Sequence, residues 1–302
     1  MRKKKILIVG TGALATLFAA RFSSAGLQVT MLGSWKHALD ALNTKGARLL
    51  LPDGSWLVSP VLATNDPADC LDSDLAVVLV KAWQTQRSVR QLAACLPADC
   101  LVVTLQNGLG NHQILAESLG SQRVVLGVTT TGATLLEPGI ARLGGEGLVS
   151  LVFHPRHAEI TGYFQQASIS CEVVADTQSL IWSKLVVSAA INPLTALLRI
   201  PNGELLNRPM VRDVMSALIR ETVNVASAQG IKLAYDDPWS VVEQVVRATA
   251  SNHSSMFQDI QRGAPTEIDA ICGEIVQIGE ASGVQVPVNT LMWQLIHSMP
   301  PG

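Results

Sequence analysis

Charge is what this sequence has least of. Lysine and arginine number 22, and aspartate and glutamate 24, in 302 residues, so 15% of the chain is charged, against roughly 25% in an average globular protein. A net charge of −2 and a pI near 6.3 exclude bulk electrostatic affinity for nucleic acid or an anionic membrane as the main activity. Aromatic residues are also scarce, at 4%, although hydrophobic residues reach 48%. The core is therefore aliphatic, built from Ala, Val, Leu and Ile. High hydrophobicity with little net charge excludes a disordered chain. The five cysteines, Cys70, Cys95, Cys100, Cys171 and Cys272, are odd in number and form no CxxC pair, which supports a cytoplasmic protein with buried thiols. No His/Cys/carboxylate spacing suits a structural metal. His112, His154, His157, His253 and His297 form no triad pattern.

Long apolar runs are missing too, despite a mean hydropathy of +0.30. A membrane helix needs about 20 mostly apolar residues. Leu185 to Leu198 is uncharged but short, and contains Asn192 and Pro193; Cys100 to Ala116 carries Gln106, Asn107, Asn111, His112 and Gln113. The basic start Met1 to Lys5 followed by Ile6 to Ala20 imitates a signal peptide. Gly10 and Gly12 interrupt that run, Arg21 follows, and a second strand-like run begins at Leu27. The expectation is a first strand, with no leader and no membrane span.

What is present is a change of period along a chain long enough for about two domains. Ile6–Val9, Leu27–Leu32, Asp74–Val80 and Cys100–Leu105 read as buried strands. Helical spacing at Ala13–Ser24, Trp35–Lys45, Thr85–Cys95 and Asn111–Ser118 separates or follows them. Val124–Thr130, Ile140–Leu143 and Gly147–Phe153 complete a strand-rich end. Such alternation predicts a doubly wound parallel sheet. From Thr177 the periods are helical: Leu180–Leu198, Val211–Ala228, Trp239–Ala250, Thr266–Ser282 and Val288–His297. The expected fold is α/β, an N-terminal Rossmann domain over residues 1–175 and an all-α domain over residues 176–302. Ligands commonly bind between such domains, beyond the carboxyl ends of the strands.

The sharpest local pattern is Ile6-Leu-Ile-Val-Gly10-Thr11-Gly12-Ala13-Leu14-Ala15, strand, turn and helix with the G-x-G-x-x-G/A spacing. Gly10 permits the turn, Gly12 leaves room for a pyrophosphate at the helix N-terminus, and Ala15 stays small for helix–strand packing. About 20 residues on, an acid would hold an NAD ribose. Here the strand runs into Gly33-Ser34-Trp35-Lys36-His37, with no acid before Asp40. Ser34 and Lys36 suit a 2′-phosphate instead, so NADPH/NADP+ is the expected cofactor. Lys36 also reads as an ordinary solvated helix residue.

Further stretches follow in order: Val80-Lys81-Ala-Trp-Gln-Thr85, Leu105-Gln-Asn107-Gly-Leu-Gly110, Gly127 to Ala133, Glu137-Pro-Gly139, Trp182-Ser-Lys184-Leu, Ile191-Asn192-Pro, Asn252-His-Ser-Ser255, Thr266-Glu267-Ile-Asp269 and Val286-Pro287-Val-Asn289. In this order and spacing the whole chain resembles the ketopantoate reductase (2-dehydropantoate 2-reductase) family. The resemblance implies a 6-phosphogluconate-dehydrogenase-like pair of domains with the site in the cleft. It also implies an NADP-dependent oxidoreductase acting on CH–OH, which reduces 2-dehydropantoate to (R)-pantoate on the way to pantothenate and coenzyme A.

By that resemblance Lys184 is the general acid and Glu267 orients it. Lys81, Ser188, Asn192, Asn252 and Ser255 contact a small 2-keto acid. Gly10 to Ala15, Ser34, Lys36, Lys81, Asn107 and Glu267 contact the cofactor. Each has a plainer reading. Lys184 and Glu267 would be surface groups, Lys81 a common strand-ending lysine, and Asn107 a turn-forming Asn-Gly. Asn192 would mark a helix break before Pro193, and Asn252 or Ser255 would cap a helix, Ser255 with Gln258 as a capping box. Lys184 stands in the otherwise uncharged stretch from Trp182 to Leu198, which argues against a solvated face. Ser188 departs from the family's usual Asn, which opens two alternatives: another 2-keto acid, or an NADP-binding regulatory protein without catalysis. The chain is expected to be a monomer or homodimer.

Overall fold

The computed structural model describes residues 4–299; Met1, Arg2 and Lys3 of the basic start lie outside the described residues. The chain forms two compact units. The first contains residues up to Gln106 together with Asn111–Thr177, and the second contains Asn107–Gly110 together with the chain from Gln178 onward.

The first unit opens with β1 (Lys5–Val9), α1 (Ala13–Ser24), β2 (Gln28–Leu32), α2 (Lys36–Lys45), β3 (Ala47–Leu50), β4 (Trp56–Ser59) and β5 (Leu62–Thr64). It continues with β6 (Leu75–Val78), α3 (Thr85–Cys95), β7 (Leu101–Thr104), α4 (Asn111–Leu119), β8 (Val124–Thr129), β9 (Gly132–Glu137), β10 (Ile140–Gly145), β11 (Val149–Val152), α5 (His157–Gln166) and β12 (Cys171–Val174). An eight-stranded sheet runs in the order β12-β11-β8-β7-β6-β1-β2-β5. Its pairings are parallel except that of β8 with β11. The order reverses at β1, with β2 on one side and β6 on the other, so the loops after β1 and β6 meet at the switch point where ligands bind in such sheets.

The central strands β1, β6 and β7 are covered on both faces, which is why they read as nearly continuous aliphatic runs. Ile6 and Ile8 of β1, with Leu75 and Val77 of β6, face a core shared with α1 and α5. Leu7, Val9, Ala76 and Val78 face the other way, toward Val89 and Leu92 of α3 and Leu115 of α4. A second, four-stranded sheet in the order β4-β3-β10-β9 was not apparent in the sequence. It packs on α1 from the side opposite β1 and β2. Burial on both flanks explains why α1 is apolar all round, with Ala15 through Ala20 and Phe22 buried.

The second unit is helical: α6 (Thr177–Leu198), α7 (Pro209–Ala228), α8 (Pro238–Ala248), α9 (Ser255–Gln261), α10 (Glu274–Ser282) and α11 (Pro287–His297). α6 has the length and composition of a membrane span, but 61% of its most apolar window is buried inside the protein. Pro193 lies within α6 and does not end it, so the plainer reading of Asn192 as a helix break does not hold, and the helix runs through Leu198 as its period predicts. The stretch expected as one amphipathic helix from Thr266 instead begins as a π-turn, Asp269–Gly273, that runs into α10. Glu221 is 6% exposed. Its carboxylate accepts from the Val288 and Asn289 backbone N–H groups and from Asn289 Nδ2, all at 2.9 Å. It thereby satisfies the first turn of α11, where donors have no partners in the helix.

Candidate active site

The loop after β1 is fixed by backbone sterics. Gly10 N–H donates to the Leu32 carbonyl at 2.8 Å. Its φ is +127°, and a Cβ there would lie 3.2 Å from the Leu79 carbonyl group, so the position admits only glycine. Thr11 is buried, and its Cγ2 would sit 2.7 Å from a Cβ at Gly33, which locks the end of β2 against the loop. Gly12 precedes α1 with no side-chain cap, and no acid occupies the first turn. A Cβ at Gly12 would meet nothing within 4 Å. The protein itself therefore does not require glycine there, and the space stands open before uncapped N–H groups. That fits a pyrophosphate. Ala13 and Leu14 are half-buried, while Ala15 packs fully buried beneath them.

Ser34 and Lys36 are exposed just past β2, and the first turn of α2 carries no acid. Nothing there would repel a 2′-phosphate, so the residues present fit NADP(H). Lys81 is half-buried at the carboxyl edge of the sheet, where its N–H donates to Gln84 Oε1 at 3.3 Å. It follows Leu79, whose N–H donates to the Val9 carbonyl at 2.9 Å.

In the second unit the polar groups lie on α6 and on the elements packed around it. Lys184, Ser188 and Asn192 are four residues apart, so they share one flank of the helix; each is half-buried on a helix otherwise largely buried. Although the Lys184 side chain keeps some accessibility, burial pushes its ammonium from 10.5 down to about 8, and the Glu267 carboxylate opposes that shift. Glu267 is 6% exposed, which removes the reading of it as a surface group. Asn107 Nδ2 donates to Glu267 Oε2 at 3.5 Å, so Lys184, Glu267 and Asn107 form one electrostatic group.

The π-turn seats Asn107. The Ala270 carbonyl accepts from Leu109 N–H at 2.9 Å. Gly108 has φ +80°, and a Cβ there would lie 2.3 Å from that same carbonyl oxygen. An Asn-Gly turn is the plainer meaning of this dipeptide in the sequence, but the close approach of Gly108 to Ala270 exists only in the folded chain.

Asn252 is held by its backbone: its N–H donates to the Thr249 carbonyl at 2.8 Å and its carbonyl accepts from Asn202 N–H at 2.9 Å. The cap of α9 is Ser254, whose Oγ accepts from Phe257 N–H at 3.1 Å. Ser255 is the first helical residue, and Gln258 Nε2 donates to the His253 carbonyl at 2.9 Å. The plainer reading of Ser255 and Gln258 as a capping box is therefore not realised. Thr195 Oγ1 donates to the Ile191 carbonyl at 2.8 Å and accepts from the Ser254 hydroxyl at 2.7 Å, which brings the Asn252–Ser255 loop to the Asn192 end of the α6 flank. Thr195 and Ser254 were missed as positioning groups, because adjacent serines leave the cap ambiguous by one residue. Among the described residues no cluster of three or more His, Cys, Asp or Glu could hold a metal.

A doubly wound sheet with an open glycine loop, joined in one chain to a helical unit carrying a desolvated lysine beside a buried glutamate, defines the class of nucleotide-dependent oxidoreductases. Comparison with known proteins narrows the class. Residues 6–155 match the family described as "Ketopantoate reductase PanE/ApbA", and residues 176–299 match its C-terminal part. The chain belongs to the ketopantoate reductase family. It is 34% identical over 301 residues to a 2-dehydropantoate 2-reductase of Halobacterium salinarum, covering 97% of this chain and 98% of that one. It is 36% identical over 310 residues to one of Archaeoglobus fulgidus, covering 100% of both. The crystal structure of a PanE/ApbA family ketopantoate reductase from Ralstonia eutropha JMP134 matches with a TM-score of 0.90 and 29% identity, covering 97% of each chain.

Proposed function

We propose that this protein reduces 2-dehydropantoate to pantoate with NADPH, in the cytoplasm and as a monomer or homodimer. The observation that carries the reading is Lys184, an ammonium brought down to about 8 and facing Glu267 in a chain with full-length relatives named for this reaction. An acid works best when its pKa lies near the operating pH. Residues 1–175 bind the cofactor and residues 176–302 carry substrate and catalysis, except that Asn107 packs with the second unit.

Bound NADPH supplies the hydride that goes to the ketone carbon. Lys184 polarises the ketone oxygen and donates the proton it needs, becoming a neutral amine. Glu267 keeps the ammonium charged and oriented, and Asn107 links that carboxylate to the nicotinamide ribose. Lys81 pairs with negative charge on cofactor and substrate. Ser188, Asn192, Asn252 and Ser255 present hydroxyls and amides to the carboxylate and hydroxyl of the keto acid. Gly10, Thr11, Gly12, Ala13, Leu14 and Ala15 form the pyrophosphate turn, and Ser34 with Lys36 takes the 2′-phosphate. Five free cysteines, four of them buried, agree with a reducing compartment.

The test is purified protein with 2-dehydropantoate and a panel of branched 2-keto acids, each with NADPH and NADH, following loss of reduced-cofactor absorbance. The expected result is fastest turnover of 2-dehydropantoate with NADPH. Faster reduction of another 2-keto acid would reject the substrate, and nucleotide binding without turnover across the panel would reject the enzyme.

A further inference from the structure

The residues on either side of Asn107–Gly110 belong to the first unit, and there a chain of hydrogen bonds joins them. Gln106 Nε2 donates to the Val80 carbonyl at 3.0 Å and to Thr85 Oγ1 at 2.8 Å. Thr104 Oγ1 donates to Gln106 Oε1 at 3.0 Å, and Thr85 Oγ1 donates to Asn111 Oδ1 at 2.7 Å. Thr85, Thr104 and Asn111 are all buried. The direction of the chain follows from chemistry. A carbonyl oxygen only accepts, so the Gln106 amide nitrogen must face Val80, and its second proton goes to Thr85. The Thr85 hydroxyl then has its own proton for Asn111.

One amide thus ties together the exits of β6 and β7 and the start of α3, and through Thr85 the start of α4. These are the points that set the proposed site: Val80 precedes Lys81, Gln106 precedes Asn107, and Asn111 follows Gly110. We infer that Gln106, with Thr85 as its relay, is the positioning residue that holds Lys81 and Asn107 against the nicotinamide end of the cofactor. The inference rests on the site roles given those two residues above. A buried network of this kind is rigid when every member is satisfied, and loosens when one donor is lost, because an acceptor is left unpaired. Glutamate at 106 would set an acceptor against the Val80 carbonyl. Valine at 85 keeps the shape of threonine and removes the relay, while serine keeps the relay.

The experiment measures NADPH and 2′,5′-ADP affinities by calorimetry, the second ligand having the 2′-phosphate but no nicotinamide. Thr85→Val and Gln106→Glu are expected to weaken NADPH about tenfold and to leave 2′,5′-ADP within about twofold. Thr85→Ser is expected to keep NADPH affinity. In a Lys81→Ala/Asn107→Ala background the NADPH loss should largely vanish, because its route is gone. Equal weakening of both ligands, a loss that persists in that background, unchanged NADPH affinity, or failure of both variants to fold would each overturn the inference. Wild-type protein that binds neither nucleotide would overturn the cofactor reading with it. Absence of turnover on 2-dehydropantoate touches only the substrate and leaves these affinities decisive.

Discussion

In the first unit the polar groups that matter stand at the ends of strands and helices; in the second they stand along the flank of one long helix and on the turns packed beside it. The first arrangement is set by backbone: Gly10 at φ +127° under Leu79, Gly33 against Thr11, and Lys81 at a strand exit. The second is set by burial: Lys184, Ser188 and Asn192 are polar interruptions of α6, and one of them pays for its position with a lowered pKa. A nucleotide, with fixed phosphates, suits a rigid backbone cradle, whereas proton transfer needs a tuned side chain. On the proposed roles, the contrast makes binding and chemistry separable by mutation.

The largest expected effect comes from Lys184→Ala. It should lower kcat by roughly 10²–10⁴ while NADPH affinity in calorimetry stays near wild type; loss of both together would dissolve the separation. Next is Gly108→Ala, which puts a side chain onto the Ala270 carbonyl at a positive φ. It should cost about 1–3 kcal/mol in urea unfolding, and an unmoved midpoint would show that the Asn107–Gly110 stretch is not seated on the π-turn.

A smaller effect concerns pH. With Lys184 as the proposed general acid, protonated in its working form, kcat/KM for reduction should fall as pH rises through about 8. Glu267 raises that value, so Glu267→Gln should move the fall to lower pH; a shift upward would contradict the pairing. Smallest is Ser188→Asn, which should change relative kcat/KM across the keto acid panel by about tenfold at most with cofactor affinity untouched. Equal change for every keto acid would remove Ser188 from substrate discrimination.

What could be read in the sequence divides along the same line. Strands buried on both faces, such as Ile6–Val9 and Leu75–Val78, announce themselves as aliphatic runs. The four-stranded sheet does not. Its strands are partly exposed rather than continuous apolar runs, and β3 finds its partner in β10, far along the chain. Lys184 stood out because its neighbours carry no charge. Glu267 was recognised, but neither its burial nor the π-turn after it follows from any local propensity. Ser254 was missed by one position, and Gln106 passed as part of a motif, because its worth lies in contacts with Val80 and Thr85 that only the folded chain creates.

The π-turn at Asp269–Gly273 has a consequence for the helix it opens. An α-helix advances about 100° per residue, and a turn closed at i→i+5 takes in one residue more than an α-helical turn would. Residues before and after it are therefore out of phase by about one residue's rotation. The stretch from Glu267 to Ser282 behaves like two gears meshed one tooth apart: α10 turns Ile275, Val276 and Gly279 into the core, while the turn before it keeps its own setting for Glu267 and the Ala270 carbonyl. Loss of a single residue between Asp269 and Gly273 would bring the gears back into step, and in doing so would turn Glu267 relative to the buried face of α10 by about one residue's rotation.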